Sequence, residues 1–414
     1  MSSFKIYEYL KRFQFSLFLF LVFTLPFNFP HLKLNSYAVV LLVFNSALLS
    51  IFYFMDLKNI KNKIWYVVFA SLFLIYVVGA INSDNINETL SELQRKISIL
   101  VFPFVLLVTP TIQKEKFKYI LLGFVVACFA IAVICLVGAL HHFLVYGDSF
   151  YFFYHALSSI VGMSAIYLSM YFNCSIIILL TFFKFSKNKL FYSIFCLLLF
   201  SIMIFLLSSR TQIIIFIIIF MLYSFIYLRN IFGYVKSTMI SIFICFLVFM
   251  MVLLIPNNRE RFKQAINYNN EYKLSGKWGD QQIRYLIWDS SLQLISTNFF
   301  TGVGTGDVQD ELQSTYLNNK YTSLTYLPNV QFNAHNQFLE IGVELGIGGM
   351  ITLLLVLLVP LWYAFKNKNI LYAIFLLIFF TSCLTESMLE RQNGIVFYAF
   401  FNSLLFSYNI NSKN

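Results

Sequence analysis

The chain has 414 residues, of which 59% are hydrophobic, 19% aromatic and only 11% charged. Soluble domains carry roughly 45–50% apolar and about 25% charged residues, so this much apolar side chain has no soluble surface to hide beneath. Composition therefore excludes a disordered chain, a secreted disulfide scaffold and a cytosolic enzyme, and predicts an all-α polytopic membrane protein. The formal charge of +11 would suggest a nucleic-acid partner only if it were gathered into one patch.

A spanning helix needs about 20 mostly apolar residues. Such runs fall near 13–30, 36–55, 64–81, 97–112, 119–141, 158–183, 190–208, 211–228, 237–255, 345–365, 370–385 and 393–408, which predicts about twelve transmembrane helices. The first run follows Lys11 and Arg12 and resembles the apolar core of a signal peptide. It lacks a small-residue cleavage site and is followed by further spans, so it reads as a retained anchor. The run Leu190 to Leu228 is broken only around Ser208–Gln212. As one helix it would reach roughly 58 Å at 1.5 Å per residue, nearly twice the hydrocarbon thickness, so it reads as two spans with Arg210 at the hairpin tip.

With the N-terminus inside, the inner segments collect Lys5, Lys11, Arg12, Lys58, Lys61, Lys63, Lys114, Lys116, Lys118, Lys184, Lys187, Lys189, Arg229, Lys236, Lys366, Lys368 and Lys413. Only Glu8, Asp56 and Glu115 oppose them. This loop-by-loop alternation predicts cytoplasmic termini, and it spreads the positive charge along short loops, which removes the nucleic-acid reading. All six cysteines lie inside apolar runs and form no CxxC pair, which argues against a disulfide framework and a cysteine-ligated zinc.

One segment breaks the rhythm. Residues 256–344 form a long outer loop between expected helices nine and ten, dividing the chain into 1–255, 256–344 and 345–414. Loops longer than about 12–15 residues are usually functional, so the chemistry is expected here. Ile283, Leu286, Ile287, Leu292 and Leu294 predict an amphipathic helix over 281–296, at or near the membrane surface. Gly302, Gly304 and Gly306 follow, but without the preceding strand that a dinucleotide fingerprint requires. They read as a structural turn or as a backbone approach to an anionic headgroup. Asp307, Asp310 and Glu311 form an acidic cluster that reads as a solvated face in preference to a cation site.

Three residues stand out. Arg210 is the sole formal charge within about 40 mostly apolar residues, and a charge near membrane depth is a functional candidate by default. Arg284 sits on the amphipathic helix beside Trp288. His335, flanked by Asn336, is the loop's only histidine. The loop carries more acidic than basic residues, so an arginine that matters here acts locally.

Ser208-Ser-Arg-Thr211, Arg284-Tyr-Leu-Ile-Trp288, Phe300-Thr-Gly-Val-Gly304 and Ala334-His-Asn-Gln-Phe-Leu-Glu340 with Gly346-Ile-Gly348 occur in this order. With the span pattern and the long loop, they resemble the O-antigen ligase family, whose superfamily includes Wzy-type polymerases. The motifs cover about 208–350, and the flanking spans match in topology only. The resemblance implies a GT-C-like fold with a periplasmic helical loop domain. It implies an O-antigen ligase that transfers glycan from an undecaprenyl-diphosphate carrier to a lipid A–core sugar hydroxyl at the periplasmic face. It assigns the catalytic base to His335 and substrate binding to Arg210, Arg284 and Asn336, with no metal, nucleotide or other cofactor. The loop has no DxD, and Trp288-Asp289 lacks the second tryptophan of the oligosaccharyltransferase motif.

Those assignments make chemical sense. Guanidinium groups neutralise a departing diphosphate through planar bidentate bonds, and a neutral histidine takes the proton of a sugar hydroxyl. An O-antigen polymerase, with a second carrier-linked repeat as acceptor, is the nearest alternative. A flippase or transporter is the rival from another class, but such proteins place ionisable groups near the bilayer midplane, and this chain concentrates them at the outer face.

Overall fold

A computed structural model describes residues 2–27, 34–53, 64–182, 187–266, 280–325 and 331–411. The expected inside residues Lys58, Lys61, Lys63, Lys184 and Lys413, and the loop stretch 267–279, lie outside the described residues. In chain order the helices are α1 (Ser2–Thr24), α2 (Leu34–Tyr53), α3 (Ile64–Gly79), α4 (Ile86–Lys96), α5 (Ser98–Val108) and α6 (Lys114–Tyr146). Then come α7 (Tyr154–Ser159), α8 (Ala165–Phe182), α9 (Lys187–Leu206), α10 (Arg210–Leu254) and α11 (Pro256–Ile266). The remainder are α12 (Asp280–Thr297), α13 (Val308–Asn318), α14 (Thr322–Thr325), α15 (Gln337–Lys366), α16 (Ile370–Cys383) and α17 (Gln392–Asn411).

Six helical stretches among the described residues are long and apolar enough to cross a membrane: Leu34–Ile51, Trp65–Asn82, Lys114–Tyr146, Ala165–Phe182, Arg210–Leu254 and Gln337–Lys366. Phe191–Leu206 and Ile370–Cys383 are apolar but shorter. Seven of the twelve expected runs coincide with these six stretches, since Arg210–Leu254 takes two of them, and the five on α1, α5, α9, α16 and α17 do not meet the length and hydropathy of a span by themselves. α5 shows why: it holds 11 residues, with Pro103 inside it, and at 1.5 Å per residue reaches roughly 16 Å. α10 continues through two expected spans, with the break at Gly233, whose φ is 78° and ψ 176°. α15 breaks in the same way at Gly346, φ 60° and ψ −155°, next to the expected boundary between loop and span.

The chain forms two compact units, one of Met1–Lys11, Val43–Thr111 and Gln264–Asn414 and the other of Arg12–Leu42 and Ile112–Lys263. In the second, α8 packs against α6, α9 and α10, and Asn173 Nδ2 donates to the carbonyl and side-chain oxygens of Gln212 at 3.0 Å each. In the first, α3 packs on α5 and α15, α17 on α5, and α12 on α15. The Trp65 ring meets Tyr363 and Phe406 at 5.2 and 5.3 Å.

The polar segment has a core of its own. Leu286, Ile287, Leu294 and Ile295 of α12 pack with Val308, Leu312, Tyr316, Leu324 and Val343. Helix α12 stands where the apolar periodicity predicts it, but Leu292 is exposed and Ile295 takes the inward position. The glycine turn closes this core onto α15 and onto the end of α3. Val303 N donates to Val343 O at 2.9 Å, Gly304 N to Glu344 O at 3.0 Å, and Thr305 N to Gly79 O at 3.3 Å. Gly306 N donates to Ser83 Oγ at 2.8 Å. These N–H groups are consumed inside the protein, so the turn is structural.

Gly302 illustrates how tightly that turn is set. Its φ is +69°, and an added Cβ would lie against the carbonyl of Glu344. Left-handed backbone costs a non-glycine residue about 1 kcal/mol, and the steric contact adds to it. Gly302→Ala should therefore lower stability by about 2–3 kcal/mol. Gly147→Ala, with φ +70° but open space around the added atom, should lose only about 1 kcal/mol. Equal thermal midpoints for the two purified variants would contradict the assigned turn geometry.

Candidate active site

His335 is held by its neighbours before any substrate is considered. Asn336 caps α15, its Oδ1 accepting from Phe338 N at 2.9 Å and Leu339 N at 3.3 Å, a contact that contributes about 1 kcal/mol. Ala334 N donates to Glu340 Oε2 at 2.6 Å, and Ser387 Oγ donates to the same oxygen at 3.1 Å. Trp288 Nε1 donates to Ala334 O at 3.0 Å. These bonds hold His335 at φ +45°, a left-handed conformation uncommon outside glycine. Such strain persists only where the surroundings over-determine it.

The side chain of His335 meets Glu386 from the loop between α16 and α17. His335 Nδ1 lies 3.2 and 3.3 Å from the two Glu386 carboxylate oxygens. Arg284 Nη2 lies 3.6 Å from Glu386 Oε2. Arg284 Nη1 donates to the carbonyls of Thr385 and, at 3.4 Å, His335. Burial pushes the Glu386 carboxyl up, but the His335 hydrogen bond and the charges of His335, Arg284 and Arg391 outweigh it and hold the carboxyl below its ordinary value. A carboxylate at Nδ1 makes that nitrogen the donor and leaves Nε2 as the acceptor. The side chains of His335 and Arg284 keep 27% and 24% exposure while Glu386 keeps 8%, so the imidazole and the guanidinium are reachable and their partner is not.

Arg210 belongs to the other unit. It opens α10 directly after Ser208, which has φ 50°, at the hairpin tip the sequence predicts. Its Nη1 donates to Arg261 O at 3.2 Å. The Arg261 guanidinium lies 3.7 Å above the Tyr154 ring, and Asn257 and Asn258 of α11 donate to Ser208 Oγ and Phe205 O at 3.2 and 3.1 Å. An arginine in the first helical turn adds its charge to the positive end of the helix dipole, an arrangement that favours an anion.

The acidic cluster has a structural use. Asp307 accepts from the backbone of Asp84 at 2.8 Å and Asn85 at 2.9 Å, and Asp310 accepts from Asn85 Nδ2 at 3.1 Å, so it fastens the start of α4. Glu340 and Glu344 of α15 are both buried. Glu340 clamps the His335 loop, and Glu344 meets the buried Lys96 at 3.4 Å. The same ammonium reaches Glu92 at 2.9 Å and Glu390 at 3.1 Å. Sequence reasoning missed Glu386, Lys96 and Glu390. Their signal was three charges, Glu386, Glu390 and Arg391, crowded between two apolar runs.

Because the folded carboxyl of Glu386 titrates below its ordinary value of 4.5, its stabilisation is complete above that pH and is lost as pH falls through the lower, folded value. The stability difference between wild type and Glu386→Gln should shrink as the buffer is taken below about pH 5. A difference that grows over that acidic range would contradict this assignment.

Residues 195–354 match the O-antigen ligase family model, Wzy_C. The chain is also 30% identical over 129 residues to an uncharacterized protein of Haemophilus influenzae, covering 28% of this chain and 31% of that protein. The chain thus spans about a third of that relative's length. The family match contains Arg210, Arg284 and His335 together with the polar segment between them, so the stretch of this membrane protein that is similar to the O-antigen ligase family is the one that carries the motifs.

Proposed function

We propose that this protein is an inverting glycosyltransferase of the O-antigen ligase type. It takes a glycan from undecaprenyl diphosphate and places it on a lipid A–core sugar hydroxyl. The observation that carries the reading is the contact of His335 Nδ1 with the buried Glu386 carboxylate beside Arg284. A histidine so oriented presents Nε2 as a base, next to a guanidinium that can receive an anion.

The step balances as follows. The acceptor hydroxyl oxygen attacks the anomeric carbon while its proton passes to His335 Nε2. The bond from that carbon to the diphosphate oxygen breaks, and the carrier diphosphate leaves with the electron pair. A single in-line displacement inverts the anomeric carbon. Arg284 neutralises the leaving group through bidentate hydrogen bonds, and we assign Arg210 the same kind of task. This reading places charge neutralisation on guanidinium groups and asks no metal for it. Asn336 serves by fixing the backbone that carries His335. The same proposal includes twelve spans in a GT-C-like arrangement, residues 256–344 as the periplasmic domain between 1–255 and 345–414, and both termini in the cytoplasm of an inner membrane.

Two sets of variants test it. In transfer assays with purified protein, carrier-linked glycan and lipid A–core, His335→Ala should lose at least 100-fold in rate, the usual contribution of a general base. Wild-type turnover in that variant would remove His335 from the chemistry. Arg284→Lys and Arg210→Lys should each lose at least tenfold although the charge is kept, because the planar fork is gone. Product chains growing on the carrier, in place of single additions to lipid A–core, would make the protein a polymerase with the same residues.

A further inference from the structure

Ile86, Leu90, Leu93 and Ile97 recur along α4 and its helical C-cap at intervals of three and four residues, which lines them up on one side of the helix. Ile86, Leu90 and Ile97 are 69%, 61% and 45% exposed, whereas Thr89, Glu92 and Lys96 face the other way and are buried. Polar Asn87, Ser91 and Gln94 flank the apolar stripe and are exposed as well. With 11 residues α4 reaches roughly 16 Å, about half of the hydrocarbon thickness, so it does not cross a membrane.

Two candidate spans fix the depth of this helix. From its break at Gly346 to its end at Lys366, α15 rises about 30 Å at 1.5 Å per residue, the thickness of the hydrocarbon layer. At that break the glycine turn is spliced into α15. Ile347 N donates to Phe299 O at 2.8 Å, and the carbonyls of Val343 and Glu344 accept from Val303 N and Gly304 N. The span Trp65–Asn82 ends on the same turn, where Asn82 Nδ2 donates to Gly302 O at 3.1 Å. Asp307, just past the turn, accepts from Asp84 N and Asn85 N, so α4 starts at the level at which both spans end. Ile81 and Phe300 stand exposed at that level, and along the span the exposed side chains of α15 are Ile351, Leu355, Leu358 and Trp362. We propose that α4 is an interfacial helix whose apolar stripe, continued by Ile81 and Phe300, lies in the phospholipid layer at the membrane face that carries the polar segment. A helix of this kind sinks its apolar side about 5–10 Å into the boundary between headgroups and acyl chains, with Asn87, Ser91 and Gln94 among the headgroups. The occupant is the bilayer because the stripe continues a surface that already meets lipid. On its buried side the same helix carries Glu92 and Lys96, and Lys96 binds Glu344 and Glu390. Lipid contact on one side of α4 thus sets the depth of the joint behind the His335 loop, whatever the protein transfers.

The test is site-directed fluorescence on the full chain in nanodiscs of phosphatidylethanolamine and phosphatidylglycerol. A Cys196→Ser background removes the half-buried thiol and leaves the five buried ones. In that background Leu90→Cys, Phe300→Cys and Ser91→Cys each carry the environment-sensitive dye NBD, attached in detergent before reconstitution. The Leu90 and Phe300 labels should be quenched by lipids bearing a nitroxide high in the acyl chain. They should also resist aqueous iodide about threefold or more better than the Ser91 label, which sits on the polar flank. Ile86→Cys reports the same stripe if Leu90→Cys does not fold. A label on the stripe or at Phe300 that is as open to iodide as the one at Ser91 would overturn the proposal. So would protection from iodide without nitroxide quenching, the signature of a protein covering the face. Stronger quenching by nitroxides at the chain end, the signature of a crossing helix, would overturn it as well.

Discussion

One buried ammonium organises the unit that carries the histidine. Lys96 is 1% exposed and is held by Glu92 of its own helix, Glu344 of α15 and Glu390 of the loop before α17. The Tyr76 ring of α3 lies 4.4 Å from it. Desolvating a lysine so completely costs several kcal/mol unless its partners are well placed, and removing one partner of such a pair commonly costs 3–5 kcal/mol. The cation therefore fixes how α3, α4, α15 and the Thr385–Arg391 loop meet. Two of those elements carry the site: α15 begins at the Asn336 cap behind His335, and the loop presents Glu386.

The same joint explains how strain at His335 is maintained. A left-handed histidine would relax if its peptide groups were free. Instead Glu340, one turn into α15, grips Ala334 N and Ser387 Oγ together, and Gln337 Oε1 accepts from Leu389 N at 2.6 Å. The loop carrying His335 and the loop carrying its carboxylate partner are thus tied to each other and to one helix. Preorganisation of this kind is what electrostatic catalysis requires, since groups already in place need not be reordered as charge develops.

Much of this was legible in the chain. Periodicity located α12, the charge break located the hairpin at Arg210, and ordered motifs singled out Arg284 and His335. What was not legible depends on long-range pairing. Glu386 lies 51 residues from His335, and no local pattern distinguishes it from Glu390 four positions on. Hydrophobicity also overstated regularity. Leu292 fits the apolar stripe but faces outward, because α12 packs on a small core and not on a flat surface. The glycine turn invited an anion, yet its N–H groups are spent on α15 and α3, a fact set by tertiary contact alone. The run at 97–112 is apolar throughout, but α5 is short because its helix is broken from α4 at Ile97 and ends before Thr109.

Charge in this unit is separated by function over a short distance. The polar segment carries more acidic than basic residues, so on the transferase reading an anionic carrier is not drawn to it by bulk field. Arg284 is where that field is locally reversed, and at rest its guanidinium is occupied by Glu386 and two carbonyls. On the transferase reading, an arriving diphosphate must take Arg284 from Glu386. Glu386 is then left facing His335 alone, where its full charge stabilises the imidazolium that forms when the hydroxyl loses its proton. Donor binding and activation of the base become one event, because a single carboxylate is shared between the group that holds the phosphate and the group that accepts the proton. On the same reading, with no carrier bound Arg284 competes for that carboxylate and the histidine is a less well supported base.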